Sequence, residues 1–420
     1  MNAPKPRTVV SHGGSNPLAY QVVAMLAALG YPYRFETGFY YRKGALAAAL
    51  RVLPPGLRGK VERQLGRRRR DGIDSARVGL YPWPEMLYVA AAKLGLPEPY
   101  RSRLRVGRAV AVDKHVARIL PDLEAERVLS FDTFALHTLR AAHALGVPTV
   151  LSQCTGHLAD ALAVYREELA LNPDFADSLA ADTPPEVVER CAAEAREADR
   201  VLAPSAYVRE TLERHGVAPD RIVDLPYGVD SERFHPPATP RSGAPFRVLY
   251  VGQIGQKKGI KYLLEAMRRL ALPDAELLLV GTVVGSGAGL LPYRDGYRHI
   301  PGVPYHEVHD LFRDADIFVY PSLHEGSPFA VLEAMASGLP VITTPNAGTH
   351  VRDGVDGFVV PIRDIDAMMA RIEELYRDRD LRLAMGRAAR ERASAFTWQR
   401  YADGLDAVLT APAARERRAP

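Results

Sequence analysis

Cysteine and long apolar runs are both scarce in this sequence. Its 420 residues include two cysteines, Cys154 and Cys191, which is too few for a disulfide framework, and no C-x-x-C pair offers a zinc site. The longest apolar stretches, such as residues 45–50, are far shorter than the roughly 20 residues that a membrane-spanning helix needs. The first residues also lack the apolar core of a secretory signal. We therefore expect a cytoplasmic protein that is soluble or rests on the inner face of a membrane.

Acidic residues are scarce in the first part of the chain. Although the formal net charge is only +4, residues 1–120 carry 21 Lys and Arg against 7 Asp and Glu, and residues 42–70 carry ten basic residues and one acid. This asymmetry predicts an anionic partner for the N-terminal half. One interpretation is docking of residues 42–70 on anionic lipid, and the other is a solvated arginine-rich face. No motif for reading nucleic acid accompanies the charge, so we expect no nucleic-acid partner.

The length and the pattern of apolar residues predict two α/β domains. A chain of 420 residues is too long for one ordinary core. Short β-rich runs alternate with helical spacing in both halves, which is typical of parallel sheets with helices on both faces. Residues 226–245 are rich in proline and have little periodicity, so we interpret them as a linker between domains at 1–225 and 246–395. Residues 411–420 lack apolar periodicity and are predicted to be disordered.

Glycines and lysines cluster in the loop after the first predicted strand of the second half. The strand ends at Gly252, and Lys257 and Lys258 stand just before a predicted helix at 260–270. Glycines let the backbone approach a ligand, and a helix N-terminus with a lysine favours a phosphate. The alternative is a plain turn with surface lysines.

Two glutamates mark a second predicted helix start, in the sequence EGSPFAVLE at 325–333. Ser327 and Pro328 are predicted to be the cap and the first residue of the helix, which leaves nearby amide groups able to bind an anion. Glu333 lies within the helix, where its carboxylate suits sugar hydroxyls. Both glutamates have the alternative of a salt-bridged surface residue.

These two segments resemble the motifs of glycosyltransferase family 4, a large retaining family with the GT-B fold. The family shows G-R-x-x-x-x-K-G after the first strand of its C-terminal domain. Residues 252–259 read GQIGQKKG, with Gln253 in place of the usual arginine. The family also has a glutamate pair spaced E-x7-E, which matches Glu325 and Glu333. Two weaker matches lie in LPYGVD and HIPGVPYHEV, at 225–230 and 299–308.

The resemblance implies a role for each matched position. Lys258 would contact the donor diphosphate and neutralise the leaving group, Glu325 would face the donor sugar, and Glu333 would bind the ribose hydroxyls. Gln253 would stand in the place of a second cation, and Lys257 is one residue that would compensate. The remaining positions implied to bind the donor are Val303, Gly326, Ser327, Pro328 and Phe329.

The N-terminal half resembles the family only faintly. A loop containing Gly13 and Gly14 follows the first predicted strand, and the resemblance places it near the donor phosphates. An ordinary turn is the alternative. The family also carries a catalytic histidine after a later strand, and His157 is the nearest match here. The alternative is a structural histidine.

The resemblance implies a GT-B fold, in which two Rossmann-like, doubly wound domains face a central cleft. The acceptor side would lie in 1–225 and the donor domain in 246–395, and residues 396–410 would form a helix that crosses back to the N-terminal domain. The implied activity is retaining, metal-independent transfer from a nucleotide-diphosphate sugar to a glycan, lipid-linked or small-molecule acceptor, in cell-surface polysaccharide synthesis. No further cofactor is expected. A nucleotide-sugar epimerase of the same fold and a non-catalytic homologue that binds a nucleotide sugar or a membrane are the alternatives.

Two other patterns do not point to a site. Asp-x-Asp occurs at 314–316, 364–366 and 378–380, and in another glycosyltransferase fold such a pair holds a metal. Here the first precedes a predicted strand and the others begin or join helices, so charged caps are predicted. No G-x-G-x-x-G follows a strand, so a dinucleotide-binding fingerprint is absent.

Overall fold

The structure is a computed structural model that describes residues 4–14, 16–41, 56, 69–96, 98–179, 183–239, 243 and 245–412. Most of the basic segment 42–70 and most of the tail 411–420 lie outside the described residues. The predictions of a lipid-docking segment and of a disordered tail therefore stay predictions.

Seven parallel strands form the sheet of the first half. They are, in chain order, β1 (Thr8–His12), β2 (Tyr33–Thr37), β3 (Val78–Leu80), β4 (Arg127–Phe131), β5 (Thr149–Ser152), β6 (Arg200–Ala203) and β7 (Ile222–Asp224). Their order across the sheet is β3-β2-β1-β4-β5-β6-β7. The winding direction reverses between β1 and β4, so the loops after these two strands flank a crevice at the carboxyl edge of the sheet.

Six parallel strands form the sheet of the second half. They are β8 (Phe246–Val251), β9 (Ala275–Val280), β10 (Arg298–Ile300), β11 (Ile317–Tyr320), β12 (Val341–Thr343) and β13 (Gly357–Val359). Their order is β10-β9-β8-β11-β12-β13, which reverses between β8 and β11. The predicted class, two doubly wound α/β sheets, is confirmed.

Thirteen α-helices accompany the two sheets in the described residues. Those before β8 are α1 (Pro17–Ala28), α2 (Trp83–Lys93), α3 (Glu98–Ile119), α4 (Leu136–Ala144), α5 (Leu158–Leu171), α6 (Pro185–Glu197) and α7 (Ala206–Arg214). Those after β8 are α8 (Ile260–Leu270), α9 (Val308–Arg313), α10 (Phe329–Ala336), α11 (Ile365–Arg377), α12 (Arg379–Ser394) and α13 (Trp398–Thr410).

Two of the Asp-x-Asp patterns cap helices, as predicted. The carboxylate of Asp364 accepts the amide of Ala367 at 2.8 Å at the start of α11. The carboxylate of Asp378 accepts the amide of Leu381 at 2.8 Å at the start of α12. Both therefore satisfy amide groups that a helix start would otherwise leave without an acceptor.

The final helix, α13, packs on the first half although it follows the second half in sequence. The hydroxyl of Tyr31 donates to Asp406 at 2.7 Å, and the guanidinium of Arg127 donates to the carbonyl of Leu409 at 2.8 Å. The chain thus passes between the halves twice, once before β8 and once before α13.

Candidate active site

The loops that carry the glycine-lysine and glutamate motifs lie side by side at the switch point of the second sheet. The amide of Leu323 donates to the carbonyl of Lys257 at 3.1 Å, and the hydroxyl of Ser322 donates to the same carbonyl at 3.3 Å. Gly259 has a φ of 67°, and a Cβ there would lie 2.1 Å from the carbonyl oxygen of Pro321. Glycine is therefore required for this close approach of the two loops.

Lys258 and Glu325 form an ion pair at this junction. The side chain of Lys258 is buried, and the Nζ atom of Lys257 lies 3.6 Å from the same carboxylate. Burial and the neighbouring charge of Lys257 lower the pKa of Lys258. Two cations thus surround one carboxylate, and a bound diphosphate would supply the additional negative charge that this arrangement can accept.

A cavity of about 310 Å³ opens beside the ion pair, between the two halves. This volume is within the range of small-molecule sites. Gln253 is exposed at this cavity, and its carbonyl accepts the hydroxyl of Tyr250 at 2.6 Å. The cavity walls come from both halves and include Thr155, Tyr165, Gln253, Lys257, Lys258 and His324.

Glu333 lies one turn into α10 and is buried. The hydroxyl of Tyr305 donates to its carboxylate at 3.1 Å, and burial raises the pKa of Glu333 to about 7. Tyr305 follows Val303, a partly buried residue, in the loop after β10. The loop identified from its sequence at 299–308 therefore reaches Glu333 through Tyr305, a residue that the sequence motif did not single out.

The start of α10 differs from the prediction. Pro328 occupies the position before the helix, with an extended ψ of 124°, and no side chain caps the first turn. The predicted cap at Ser327 is therefore wrong, because the helix begins one residue later than expected, at Phe329. The first amide groups of α10 still lack an intrahelical acceptor, so they can bind an anion or a hydroxyl.

Residues of the first half form hydrogen bonds with the loop at Glu325 and Gly326. The amide of Gly156 donates to the carbonyl of Glu325 at 3.1 Å, and the hydroxyl of Ser205 donates to the carbonyl of Gly326 at 2.5 Å. A Cβ on Gly326 would lie 1.8 Å from the carbonyl oxygen of Cys154. Glycine at this position therefore lets the two halves meet next to the ion pair.

Gly13 and Gly14 follow β1 at the switch point of the first sheet. A Cβ on Gly13 would lie 2.5 Å from the ring of Phe134, and one on Gly14 would lie 2.9 Å from the imidazole of His12. Farther along this loop, the side-chain amide of Asn16 contacts the Sγ atom of Cys154 at 3.4 Å. Through Cys154 the glycine loop is connected to the loop that carries Gly326.

Asp132, which sequence reasoning missed, follows β4 on the other side of the same crevice. Its carboxylate accepts the amide of Cys154 at 3.3 Å and the side-chain amide of Gln153 at 3.4 Å. Burial raises the pKa of Asp132 to about 6, although the bond from Cys154 and the charge of Lys257 oppose this shift. The strand order, which places β4 beside β1, is the signal that identifies Asp132.

The residue after Asp132 has a strained backbone. Thr133 has a φ of 74°, a conformation that a β-branched residue rarely adopts. The buried carboxylate of Glu194 accepts the amide of Thr133 at 2.6 Å and that of Ala135 at 3.1 Å, and Arg190 donates to the carbonyl of Thr133 at 2.7 Å. Strain held in this way is typical of ligand-binding loops.

His157 is placed at the start of α5, where its Nδ1 atom accepts the amide of Ala159 at 3.3 Å. Its ring stacks on His215 with centroids 3.9 Å apart, and burial lowers its pKa to about 4. The histidine on the cavity wall is His324, whose Nε2 atom lies 3.1 Å from the carbonyl oxygen of Gly156. The structure therefore gives His157 a capping contact and does not bring its ring to the cavity.

Two family models match consecutive parts of the chain. Residues 90–233 match the model described as Glycosyltransferase Family 4, and residues 231–392 match the one described as Glycosyl transferases group 1. The chain belongs to glycosyltransferase family 4. The resemblance carried by the Gly252–Gly259 loop and the glutamate pair is thereby confirmed.

Among the curated relatives of this family 4 member is the D-inositol 3-phosphate glycosyltransferase of Geodermatophilus obscurus. The two are 36% identical over 245 residues, which is 52% of this chain and 53% of the relative. The chain thus spans about half the length of that relative.

Solved structures share the fold over nearly the whole family 4 chain. Sucrose-phosphate synthase from Thermosynechococcus elongatus has a TM-score of 0.67 at 18% identity, covering 96% of this chain and 98% of its own. HepE from Anabaena, in complex with UDP and glucose, has a TM-score of 0.64 at 13% identity, covering 96% and 99%. At these identities the likeness shows the fold alone, and the GT-B fold is confirmed.

Proposed function

We propose that this family 4 member is a retaining, metal-independent glycosyltransferase that moves a sugar from a nucleotide-diphosphate sugar to a glycan, lipid-linked or small-molecule acceptor. The observation that carries the proposal is the Lys258–Glu325 ion pair at the switch point of the second sheet, with Lys257 beside it. Negative charge develops on the departing diphosphate in the transition state, and fixed cations aimed at that position stabilise it.

A diphosphate in the cavity takes Lys258 as its partner and leaves the carboxylate of Glu325 able to accept hydroxyl groups of the donor sugar. The first amide groups of α10 add hydrogen-bond donors. Lys257 supplies the second cation in place of Gln253, whose neutral amide can only form hydrogen bonds. Its position 3.6 Å from Glu325 supports this assignment.

Glu333 and the loop around Val303 are assigned to the nucleoside. The two oxygens of a carboxylate match the two hydroxyls of a ribose. The buried position of Glu333 and its contact with Tyr305 support this role. The guanidinium of Arg233 lies 5.1 Å from the ring centroid of Tyr305, which adds a cation near the same site. Backbone groups near Val303 are assigned to the base.

We assign to Asp132 the role of binding the acceptor hydroxyl. It stands at the switch point of the first sheet, close enough to Lys257 for that charge to lower its pKa. Departure of the diphosphate leaves an oxocarbenium-like centre at the anomeric carbon. A hydroxyl oriented by Asp132 attacks this carbon from the face that the diphosphate leaves and gives its proton to the Asp132 carboxylate, and the configuration is retained. His157 takes no part, because its ring stacks on His215.

Thermal unfolding with UDP, GDP and ADP, and then with their sugar conjugates, tests the donor site. A ligand that binds only the native protein raises the unfolding temperature by mass action. We expect one nucleotide and its sugar conjugate to stabilise the protein, and the effect to persist in EDTA. Lys258→Ala should lose the stabilisation, and Lys114→Ala, at an exposed lysine of α3, should keep it. No shift with any nucleotide would contradict the proposal.

Product analysis separates the proposal from its two alternatives. A transferase forms a glycosylated acceptor and free nucleotide together, whereas an epimerase changes the nucleotide sugar without an acceptor and a non-catalytic homologue binds it unchanged. Asp132→Asn should keep the stabilisation by nucleotide and lower the rate of sugar transfer about tenfold or more. Sugar transfer by Asp132→Asn at the wild-type rate would show that Asp132 takes no part in the reaction.

A further inference from the structure

Helix α2 turns its apolar side to solvent. Trp83, Met86, Leu87 and Leu94 are 65%, 53%, 63% and 78% exposed. Ala90 is also exposed, and Leu94 is the C-cap residue that directly follows Lys93. Each of these five residues lies three or four positions from at least one other, so they lie on one face of the helix. These five residues are called the apolar stripe below.

The opposite side of α2 is fixed by a buried ion pair. Glu85 is buried and pairs with Arg108 of α3. The guanidinium of Arg108 also lies 5.0 Å from the ring centroid of Tyr88. A rotation of α2 that buried the apolar stripe would separate Glu85 from Arg108. This separation costs free energy, because one charge would stay buried without its partner. The outward orientation of the stripe is therefore built into the fold.

Exposed apolar side chains are concentrated in this region. Among the described residues, six of the eleven exposed large apolar side chains lie between residues 83 and 100. Four of the six belong to the apolar stripe, and the other two are Val89 and Tyr100. The other five are scattered along the chain. Single exposed apolar side chains are normal, whereas a contiguous patch marks an interaction surface.

Basic residues follow the apolar stripe along the chain. Lys93 ends α2, and Arg101, Arg103 and Arg105 occupy the first two turns of α3. The segment 1–120, to which both helix ends belong, carries 21 basic against 7 acidic residues. None of the helices in the described part of the chain is long and apolar enough to cross a membrane. An exposed apolar stripe bordered by cations is the pattern of a helix that lies in the plane of an anionic bilayer surface.

We propose that the apolar stripe docks this protein on an anionic lipid surface. Trp83, Leu87 and Leu94 insert at the level of the headgroups, and the basic residues at the end of α2 and the start of α3 contact lipid phosphates. A second copy of the chain is a less favourable occupant, because the excess positive charge of residues 1–120 would repel the same charge on the other copy. The stripe lies on α2, which contributes no residue to the donor site, so this proposal does not depend on the proposed function.

Tryptophan emission reports directly on the apolar stripe. The chain has two tryptophans, and Trp398 is partly buried against Phe329 and Tyr401. Trp83 is therefore the residue whose surroundings change on docking. The full chain is mixed with vesicles of equal parts phosphatidylcholine and phosphatidylglycerol, or of phosphatidylcholine alone. We expect sedimentation with the anionic vesicles, a blue shift of the emission, and much weaker binding to the neutral vesicles.

Two double variants keep Trp83 and separate the apolar contact from charge. Leu87→Ser with Leu94→Ser should weaken binding to the anionic vesicles about tenfold or more. Leu145→Ser with Leu291→Ser removes leucines that are also exposed and should change binding by less than about twofold. Stabilisation by nucleotide, measured on the same proteins, should be unchanged in both.

Three results would overturn the docking proposal. The first is that the wild-type chain binds neither kind of vesicle. The second is that the Leu87→Ser, Leu94→Ser variant binds the anionic vesicles as tightly as the wild type. This result would show that charged residues outside the apolar stripe are responsible for binding. The third is a wild-type dimer that this variant abolishes, without vesicle binding, which would make a second copy the occupant. Loss of nucleotide stabilisation in every protein would instead count against the donor site.

Discussion

Among single residues, Glu333 has a pH dependence that can be measured. Burial raises its pKa from 4.5 to about 7, so the folded state resists its ionisation. The contribution of Glu333 to the free energy of unfolding is therefore greatest below pH 4.5 and falls as the pH rises to 7.

Glu333→Gln removes this titration. Between pH 5 and pH 8 we expect the variant to gain about 1–3 kcal/mol in free energy of unfolding relative to the wild type. Urea unfolding at several pH values measures the difference. A difference that does not change with pH would show that Glu333 ionises normally.

The sequence predicted the residues whose positions follow from local motifs and missed those that depend on distant contacts. Lys258 and Glu325 were both predicted, and the structure pairs them. Asp132 and Tyr305 were missed, because their places beside the cavity depend on strand order and on the path of a loop. His157 was predicted from its place in a loop, but the structure does not bring it to the cavity. Its ring stacks on His215 instead.

At the scale of elements, the loop between β8 and α8 depends on Gly259. Gly259→Ala places a methyl group at a left-handed φ and 2.1 Å from the carbonyl oxygen of Pro321. Gly30→Ala is a matched control, because Gly30 has a φ of 77° and no atom within 4 Å of the added Cβ. Both variants carry the backbone cost of roughly 1–2 kcal/mol, and only the first adds a clash.

We therefore expect Gly259→Ala to lower the free energy of unfolding by about 2 kcal/mol more than Gly30→Ala does. Chemical unfolding of both variants measures this difference. Nucleotide stabilisation should also weaken in Gly259→Ala, because the loop that carries Lys258 moves. Equal destabilisation by the two substitutions would show that the loops have room for a side chain.

Element boundaries agree with the sequence where the local pattern is strong. The predicted helix at 260–270 occurs with those bounds as α8. The start of α10 was misplaced by one residue, because both Ser327 and Pro328 are favourable at a helix start and the pattern does not decide between them. Strand order was not predictable, because it depends on pairing between segments far apart in the chain.

At the scale of the whole molecule, one buried carboxylate connects the two halves. Glu168 of α5 is fully buried and accepts hydrogen bonds from Gln256 at 2.7 Å, Tyr262 at 2.9 Å and Arg363 at 2.5 Å. These three partners belong to the second half. No sequence motif marks Glu168, because its role exists only once both halves are folded and in contact.

Glu168→Ala leaves these donors without their acceptor. We expect the free energy of unfolding to fall by about 3–5 kcal/mol. Glu167→Ala is the matched control, because the neighbouring carboxylate is 61% exposed and also pairs with Arg363. Its loss should cost less than about 1 kcal/mol. Similar midpoints of urea unfolding for the two variants would show that Glu168 does not stabilise the contact between the halves.

Calorimetric titration of nucleoside diphosphates tests the central claim most directly. UDP, GDP and ADP are titrated in EDTA into the wild type and into Lys258→Ala, Glu333→Ala and Lys114→Ala. We predict that one nucleotide binds the wild type and Lys114→Ala with equal affinity, and that Lys258→Ala and Glu333→Ala each weaken it about tenfold or more. Failure of all three nucleotides to bind the wild type, or equal binding by all four proteins, would contradict the assignment of a nucleotide-sugar donor site at Lys258, Glu325 and Glu333.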